Sequence, residues 1–124
     1  MVPNGYLRSK DVCRFAGTTL RQLQWWDEQK ILHPKIIGRL RRYTYDEARI
    51  AHVLQQFRRT GAPLHLLRPV AAALYKNGGL ASRIALIAGP AVKFCVNSEE
   101  VIHVLTHVKH CGVVFVAMIP KETK

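Results

Sequence analysis

At 124 residues the chain has room for one core of moderate size, or for a small domain with an appendage, and its 19 Lys and Arg against 8 acidic residues give a net charge of +11 that makes polyanions its natural partners. Cys13, Cys95 and Cys111 are an odd number at no metal-like spacing, which excludes a disulfide framework and reads as reduced core cysteines of a soluble, cytoplasmic protein. The longest apolar run, residues 113–119, falls far below the roughly 18 residues of a membrane span, and Arg8 and Lys10 precede any apolar run, so neither a membrane partner nor a secretory leader is expected.

The charge is unevenly spread: residues 1–76 carry 14 basic and 5 acidic side chains, +9, and residues 77–124 carry 5 and 3, +2. The polyanion face therefore belongs to the first part. There, Ser9 can cap a short helix over residues 10–16, with Asp11 in the first turn and Val12, Phe15 and Ala16 as its inward stripe. Gly17 breaks it. Thr18 suits the N-cap of a second helix through Gln29, in which Leu20, Leu23, Trp26 and Asp27 share one side while Arg21, Gln22, Trp25 and Gln29 share the other. That second side carries guanidinium, carboxamide and an aromatic ring, the groups that read base edges and lie against a sugar-phosphate backbone.

His33-Pro34 stops helical structure, and residues 35–37 and 40–43 read as two short strands round Gly38-Arg39, with Gly38 at the first central position of a type II′ turn. Strand alternation places Arg41 with Tyr43 and Leu40 with Arg42, a basic wing. Thr44 caps a helix over residues 45–60. Asp46 and Glu47 lie in its first turn, Arg58 and Arg59 in its last, and Ile50, Val53, Leu54 and Phe57 at helical spacing. After Gly61, an apolar segment over residues 64–76 is expected to kink at Pro69. Asn77-Gly78-Gly79 then marks a boundary, dividing the chain into residues 1–76 and 77–124. Beyond it, strands over 83–88 and 91–96 joined at Gly89-Pro90, a helix from the capping Ser98 to residue 109, and a buried strand over 113–119 make a small ββαβ module. The fold class is α+β.

Helix, glycine turn, helix, basic hairpin and two further helices, in this order and spacing, resemble the DNA-binding domain of the MerR family of transcriptional regulators over residues 6–76. The segments that carry the resemblance are Asp11-Val12-Cys13-Arg14-Phe15-Ala16-Gly17, Arg21-Gln22-Leu23-Gln24-Trp25-Trp26-Asp27, Ile31-Leu32, Gly38-Arg39-Leu40-Arg41-Arg42-Tyr43 and Gly61-Ala62-Pro63-Leu64. The resemblance implies a winged helix-turn-helix that binds double-stranded DNA sequence-specifically and regulates transcription. Arg21 and Gln22 would then meet base edges, Thr18 and Trp25 sugar or phosphate, and Arg39, Arg41 and Arg42 phosphate, with Tyr43 closing the wing signature among the DNA-binding residues. Two departures stand out: Gln24 occupies a position where family members commonly carry Arg, and no heptad follows the fourth helix to form the family's intersubunit coiled coil. The C-terminal module is therefore expected to supply a homodimer contact.

Other chemistries compete less well. Glu99, His103 and His107 lie at i, i+4, i+8 and could chelate a divalent metal in a metal-responsive regulator, but the inward stripe Val101, Leu105 and Val108 leaves them on an outer face where polar residues belong. An excisionase-like architectural DNA-binding role suits the small size. No nucleophile with a neighbouring base and no glycine-rich phosphate loop stands in the chain, so neither an enzyme nor a cofactor is expected.

Overall fold

The computed structural model describes residues 5–76, 80–89, 91–107 and 113–121. In chain order the elements are β1 (Leu7–Arg8), α1 (Ser9–Ala16), α2 (Leu20–Glu28), β2 (Lys35–Ile37), β3 (Leu40–Tyr43), α3 (Tyr45–Arg59), α4 (Leu64–Tyr75), β4 (Ile84–Ala88), β5 (Ala91–Cys95), α5 (Ser98–His107) and β6 (Val114–Met118). Five helices and two three-stranded sheets make an α+β fold. No helix among the described residues is long and apolar enough to cross a membrane. The expected continuation of the last helix to residue 109, with Val108 and Cys111, lies outside the described residues, as do Asn77-Gly78-Gly79 and Pro90.

The starts of α1, α2 and α5 differ from expectation by one residue, each for a local reason, while α3 and α4 begin at Tyr45 and Leu64 as expected. Arg8 rather than Ser9 stands at the N-cap of α1, where the Asp11 carboxylate accepts both the Arg8 backbone N–H and its guanidinium at 3.1 Å. That contact holds the Asp11 carboxyl below its usual range. Gly17 closes α1 in the left-handed region at φ 71°, and the N–H groups of both Gly17 and Thr18 fall on the Cys13 carbonyl, at 2.9 and 3.1 Å. Thr18 is thus used up in ending one helix, and Thr19 caps the next by accepting the Gln22 N–H at 3.0 Å. Leu20, expected inward, is 59% exposed because the cap places it ahead of the buried Leu23 and Trp26. Asn97, not Ser98, accepts the Glu100 N–H at 2.9 Å and starts α5.

The β2–β3 hairpin forms in the expected register, with Ile37 opposite Leu40 and Lys35 opposite Arg42. Its turn is type I′ rather than II′, since both Gly38 (φ 59°) and Arg39 (φ 69°) are left-handed. Two positive φ values match the right-handed twist of the strands, at the cost of forcing a residue with a Cβ into that region. A third strand the sequence did not announce, β1, pairs with β3 on its other side and gives the order β1-β3-β2. Helix α4 runs through Pro69 without interruption; the bond that Pro69 cannot donate would have gone to His65, which is exposed and open to water.

Helix α3 is the axle. Its Thr44 cap and Glu47 exchange bonds reciprocally, at 3.0 and 2.9 Å. Ile50, Ala51, Val53, Leu54 and Phe57 are fully enclosed by α1, α4, β3 and β6. One hydrophobic cluster runs from Val12, Trp26 and Tyr43 through α3 and α4 to Ala85, Ile87 and Ala117 of the second sheet, so the core continues past residues 77–79. Polar side chains of α3 fasten that sheet as well. Arg49, 8% exposed, donates to the carbonyls of Leu80 at 2.7 Å and Pro120 at 2.9 Å. The Gln56 carboxamide donates to the Met118 carbonyl and accepts the Met118 N–H at 2.8 Å, standing in for a further strand at the edge of β6.

The second sheet is antiparallel throughout with β4 in the middle, order β5-β4-β6. Strand β6 is an edge strand rather than the buried one expected: Ala117 faces the core, but Val116 and Met118 alternate outward at 46% and 56% exposure. Helix α5 has no fully buried residue, and Leu105, expected inward, is 44% exposed.

Two outcomes follow. Gln56 also donates to His52 Nδ1 at 2.9 Å, so the clamp on Met118 needs a neutral imidazole, and burial followed by the Arg59 charge lowers the His52 pKa. The unfolded chain then binds the proton that the folded chain refuses, so stability is full above the ordinary value of 6.5 and falls as pH drops through it. Urea melts between neutral and mildly acidic pH will show that slope, and His52→Gln will flatten it. At the hairpin turn, Arg39→Asn places a residue tolerant of the left-handed region there and raises stability by up to about 1 kcal/mol in the same melts.

Candidate nucleic-acid interface

The outward face of α2 is built by its cap. With Thr19 fixing the first turn, Arg21 and Gln24 stand exposed, Gln22 half-buried and Trp25 38% exposed, while Leu23 and Trp26 hold the opposite face in the core. These side chains line an open groove of about 640 Å³ together with Thr19, Glu28 and Arg58 of α3. Arg58 was legible in the sequence only as a cation matching the end of its helix; the end of α3 lies beside α2 and brings it to the groove. Its neighbour Arg59 does a different job, donating to the Gly17 carbonyl at 3.0 Å and packing so closely that a Cβ on Gly17 would stand 2.8 Å from its Nη2. The turn between α1 and α2 is thereby pinned to α3.

Asp27 and Arg41 tie the hairpin to α2 through a charge-assisted hydrogen bond between partly buried groups. The Asp27 hydrogen bond holds the Arg41 guanidinium more firmly protonated than usual. Its Nε is engaged by Asp27, so Arg41 also sets the hairpin against the helix. Tyr43 is corrected outright. It is 0% exposed and burial pushes its pKa up to about 12, so neither ring nor hydroxyl reaches a bound molecule. Strand alternation is the reason, since Tyr43 and Leu7 are opposite each other on the core side of β3 and β1. The Thr18 hydroxyl is likewise buried without a partner, a consequence of its place in the α1 terminus, and Thr19 occupies the groove instead.

The other side of the same sheet is cationic. Arg8, Arg42 and Lys35 face one another across the three strands by register, a rung of like charges that opposes folding unless screened or met by anions. Arg8 is partly neutralised by Asp11, and Arg42 is half-buried with one bond to the Arg41 carbonyl at 3.3 Å. Arg39 stands at the exposed tip. Among the described residues Arg21, Arg39 and Arg58 form neither a salt bridge nor a side-chain hydrogen bond, which leaves three guanidinium forks on the α2–hairpin side free to engage oxygen acceptors. Among the described residues no group of three metal-ligating side chains gathers; the His103 and His107 rings lie 4.3 Å apart, Glu99 stands one turn earlier, and His107 Nδ1 meets the His103 carbonyl at 2.7 Å.

The model of the MerR HTH family regulatory protein matches residues 7–74, from β1 almost to the end of α4, and so takes in every residue of the groove and the hairpin. Curated proteins bearing the name uncharacterized HTH-type transcriptional regulator, from Mycobacterium bovis and from two strains of Mycobacterium tuberculosis, are each 30% identical over 108 residues, covering 82% of this chain and 48% of the relative. The chain thus spans about half the length of the curated relatives it matches. With a match over more than half its residues and the helix–turn–helix and hairpin in their places, the chain belongs to the MerR HTH family.

Proposed function

We propose that the chain binds double-stranded DNA sequence-specifically, as a winged helix-turn-helix, and regulates transcription. The observation that carries this is the outward face of α2, where Arg21, Gln22, Gln24 and Trp25 stand open beside Arg58 with the hairpin locked alongside by Asp27 and Arg41. Arg21 and Gln22 meet base edges, since a guanidinium suits guanine and a carboxamide suits adenine in the major groove. Trp25 and Thr19 lie against the flanking sugar-phosphate, and Arg39, Arg42 and Arg58 neutralise phosphates. Gln24 stands in the same groove as a carboxamide, a third group able to read an edge. The names of the mycobacterial relatives support the regulatory role.

Retention of fragmented genomic DNA at near-physiological salt, followed by sequencing, is the direct measurement, because affinity without competing sites mostly reports the +11 charge. An enriched motif is expected. Arg21→Ala and Gln22→Ala relax preference at single positions by about 1–3 kcal/mol each, whereas Arg39→Ala weakens all sequences alike and lowers the salt slope by about one unit. Retention of every fragment equally would refute the reading. Asp27→Asn and Arg41→Ala, alone or together, produce the same loss, since both release the hairpin from the helix.

We further propose that two copies pair through the outer face of the second sheet, where Val116 and Met118 of β6 and Ile102 and Leu105 of α5 are exposed. The enriched motif is then an inverted repeat. Sedimentation equilibrium checks it: the chain is dimeric, and Val116→Lys shifts it to monomer with its circular dichroism spectrum unchanged.

A further inference from the structure

A cavity of about 330 Å³ lies at the root of the hairpin, away from the groove, and nothing in the DNA-binding reading uses it. Its floor is aliphatic, from Ile50 and Leu74, both fully buried. Its walls are the rings of Tyr6, His33 and Tyr75, the last two 5.1 Å apart. Glu47 also lines it, with only 5% of the residue exposed.

The Glu47 carboxylate accepts the Thr44 N–H at 2.9 Å and the Tyr75 O–H at 2.7 Å, two neutral donors for a group able to accept about four. The ion pairs among the described residues are Arg8–Asp11, Arg41–Asp27 and Arg49–Asp46, so in a chain of net charge +11 this enclosed carboxylate has no cation against it. Burying a carboxylate without a counter-charge is costly, and a bound cation relieves it. Lys35, which also lines the cavity, sets its ammonium 6.0 Å from the centroid of Tyr6. That shows a ring of the cavity wall presenting its face to a cation. Asp46 on the same wall makes the lining still less suited to phosphate, so the cavity is no extension of the nucleic-acid face.

We propose that this cavity binds a small organic amine, its protonated nitrogen against Glu47 and its apolar body among Tyr6, Ile50, Leu74 and Tyr75. The volume lies at the small end of ligand pockets and suits a single-ring body. The occupant touches both roots of the hairpin. The His33 N–H donates to the Tyr75 hydroxyl at 2.8 Å, that hydroxyl to Glu47, and Glu47 in turn holds Thr44, so residues before β2 and after β3 meet at one carboxylate. The proposal does not depend on DNA binding, and its test reads occupancy alone.

The test is a titration of the full chain with benzylamine followed by ¹H–¹⁵N NMR, with benzyl alcohol and benzoate as probes of the same shape and different charge. Saturable shifts confined to residues 33–35, 44–47 and 74–75 are expected, with a Kd of about 1 mM. Glu47→Gln, which keeps an oxygen for the Thr44 N–H, weakens binding by at least about tenfold, as does Leu80→Trp, which fills the rim from a half-buried position. Should Glu47→Gln fail to fold, Leu80→Trp decides alone. No saturation by about 10 mM benzylamine, equal binding in the folded variants, or tighter binding of benzoate than of benzylamine overturns the proposal; the last result would reassign the cavity to an anion held by Lys35.

Discussion

Helix α3 must be enclosed by four other elements at once, and most of the architecture is the way that constraint is met. Its apolar positions alone do not achieve it, because each approaching element brings an end with unpaired backbone groups. The polar residues of α3 take those ends one by one: Glu47 the backbone at the root of the hairpin, Arg49 the carbonyls of Leu80 and Pro120, Gln56 both backbone groups of Met118, and Arg59 the carbonyl of Gly17. A short chain thereby holds two sheets and the helices α1 and α4 on one axle. Buried charge of this kind is weak support for stability in itself, but each of these bonds fixes where an element ends, and hence the direction it leaves in.

The basic residues divide accordingly into two populations. Arg8, Arg41, Arg49 and Arg59 are engaged with carboxylates or carbonyls inside the fold, whereas Arg21, Arg39 and Arg58 are free. The net charge of +11 overstates the charge an incoming polyanion meets at short range, although it still steers the encounter. Arg41 shows why composition cannot make this division. It differs from Arg42 by one position, but strand alternation turns it toward α2, where Asp27 is waiting.

Element existence was legible because periodicity and caps are local. The hairpin register, the Thr44 cap, the course of α3 and the three strands of the second sheet follow from patterns within a few residues. What the sequence withheld depends on meetings between distant residues. Strand β1 is two residues long and exists only because β3 offers an edge; β6 reads as a buried run until Gln56 is seen to close one side of it while Val116 and Met118 face out. The site divides in the same way. Helical phase alone places Arg21, Gln22 and Trp25 on one face, and they line the groove, while a motif ending in Arg-Arg-Tyr does not say that Tyr43 faces the core. Arg58 was missed as a groove residue because only the fold brings the end of α3 beside α2.

Helix α3 also relates the α2 groove to the second sheet. Gln56, which clamps β6, and Arg58, which lines the α2 groove, lie two residues apart on a single capped helix, and His52 sits one turn before Gln56 with its ring nitrogen on the same carboxamide. The second sheet therefore bears on the same helix as the cationic groove, through one carboxamide whose orientation depends on a neutral imidazole. The exposed outer face of that sheet and the core-facing Ala117 are alternate positions of β6, so whatever covers Val116 and Met118 lies one strand away from α3.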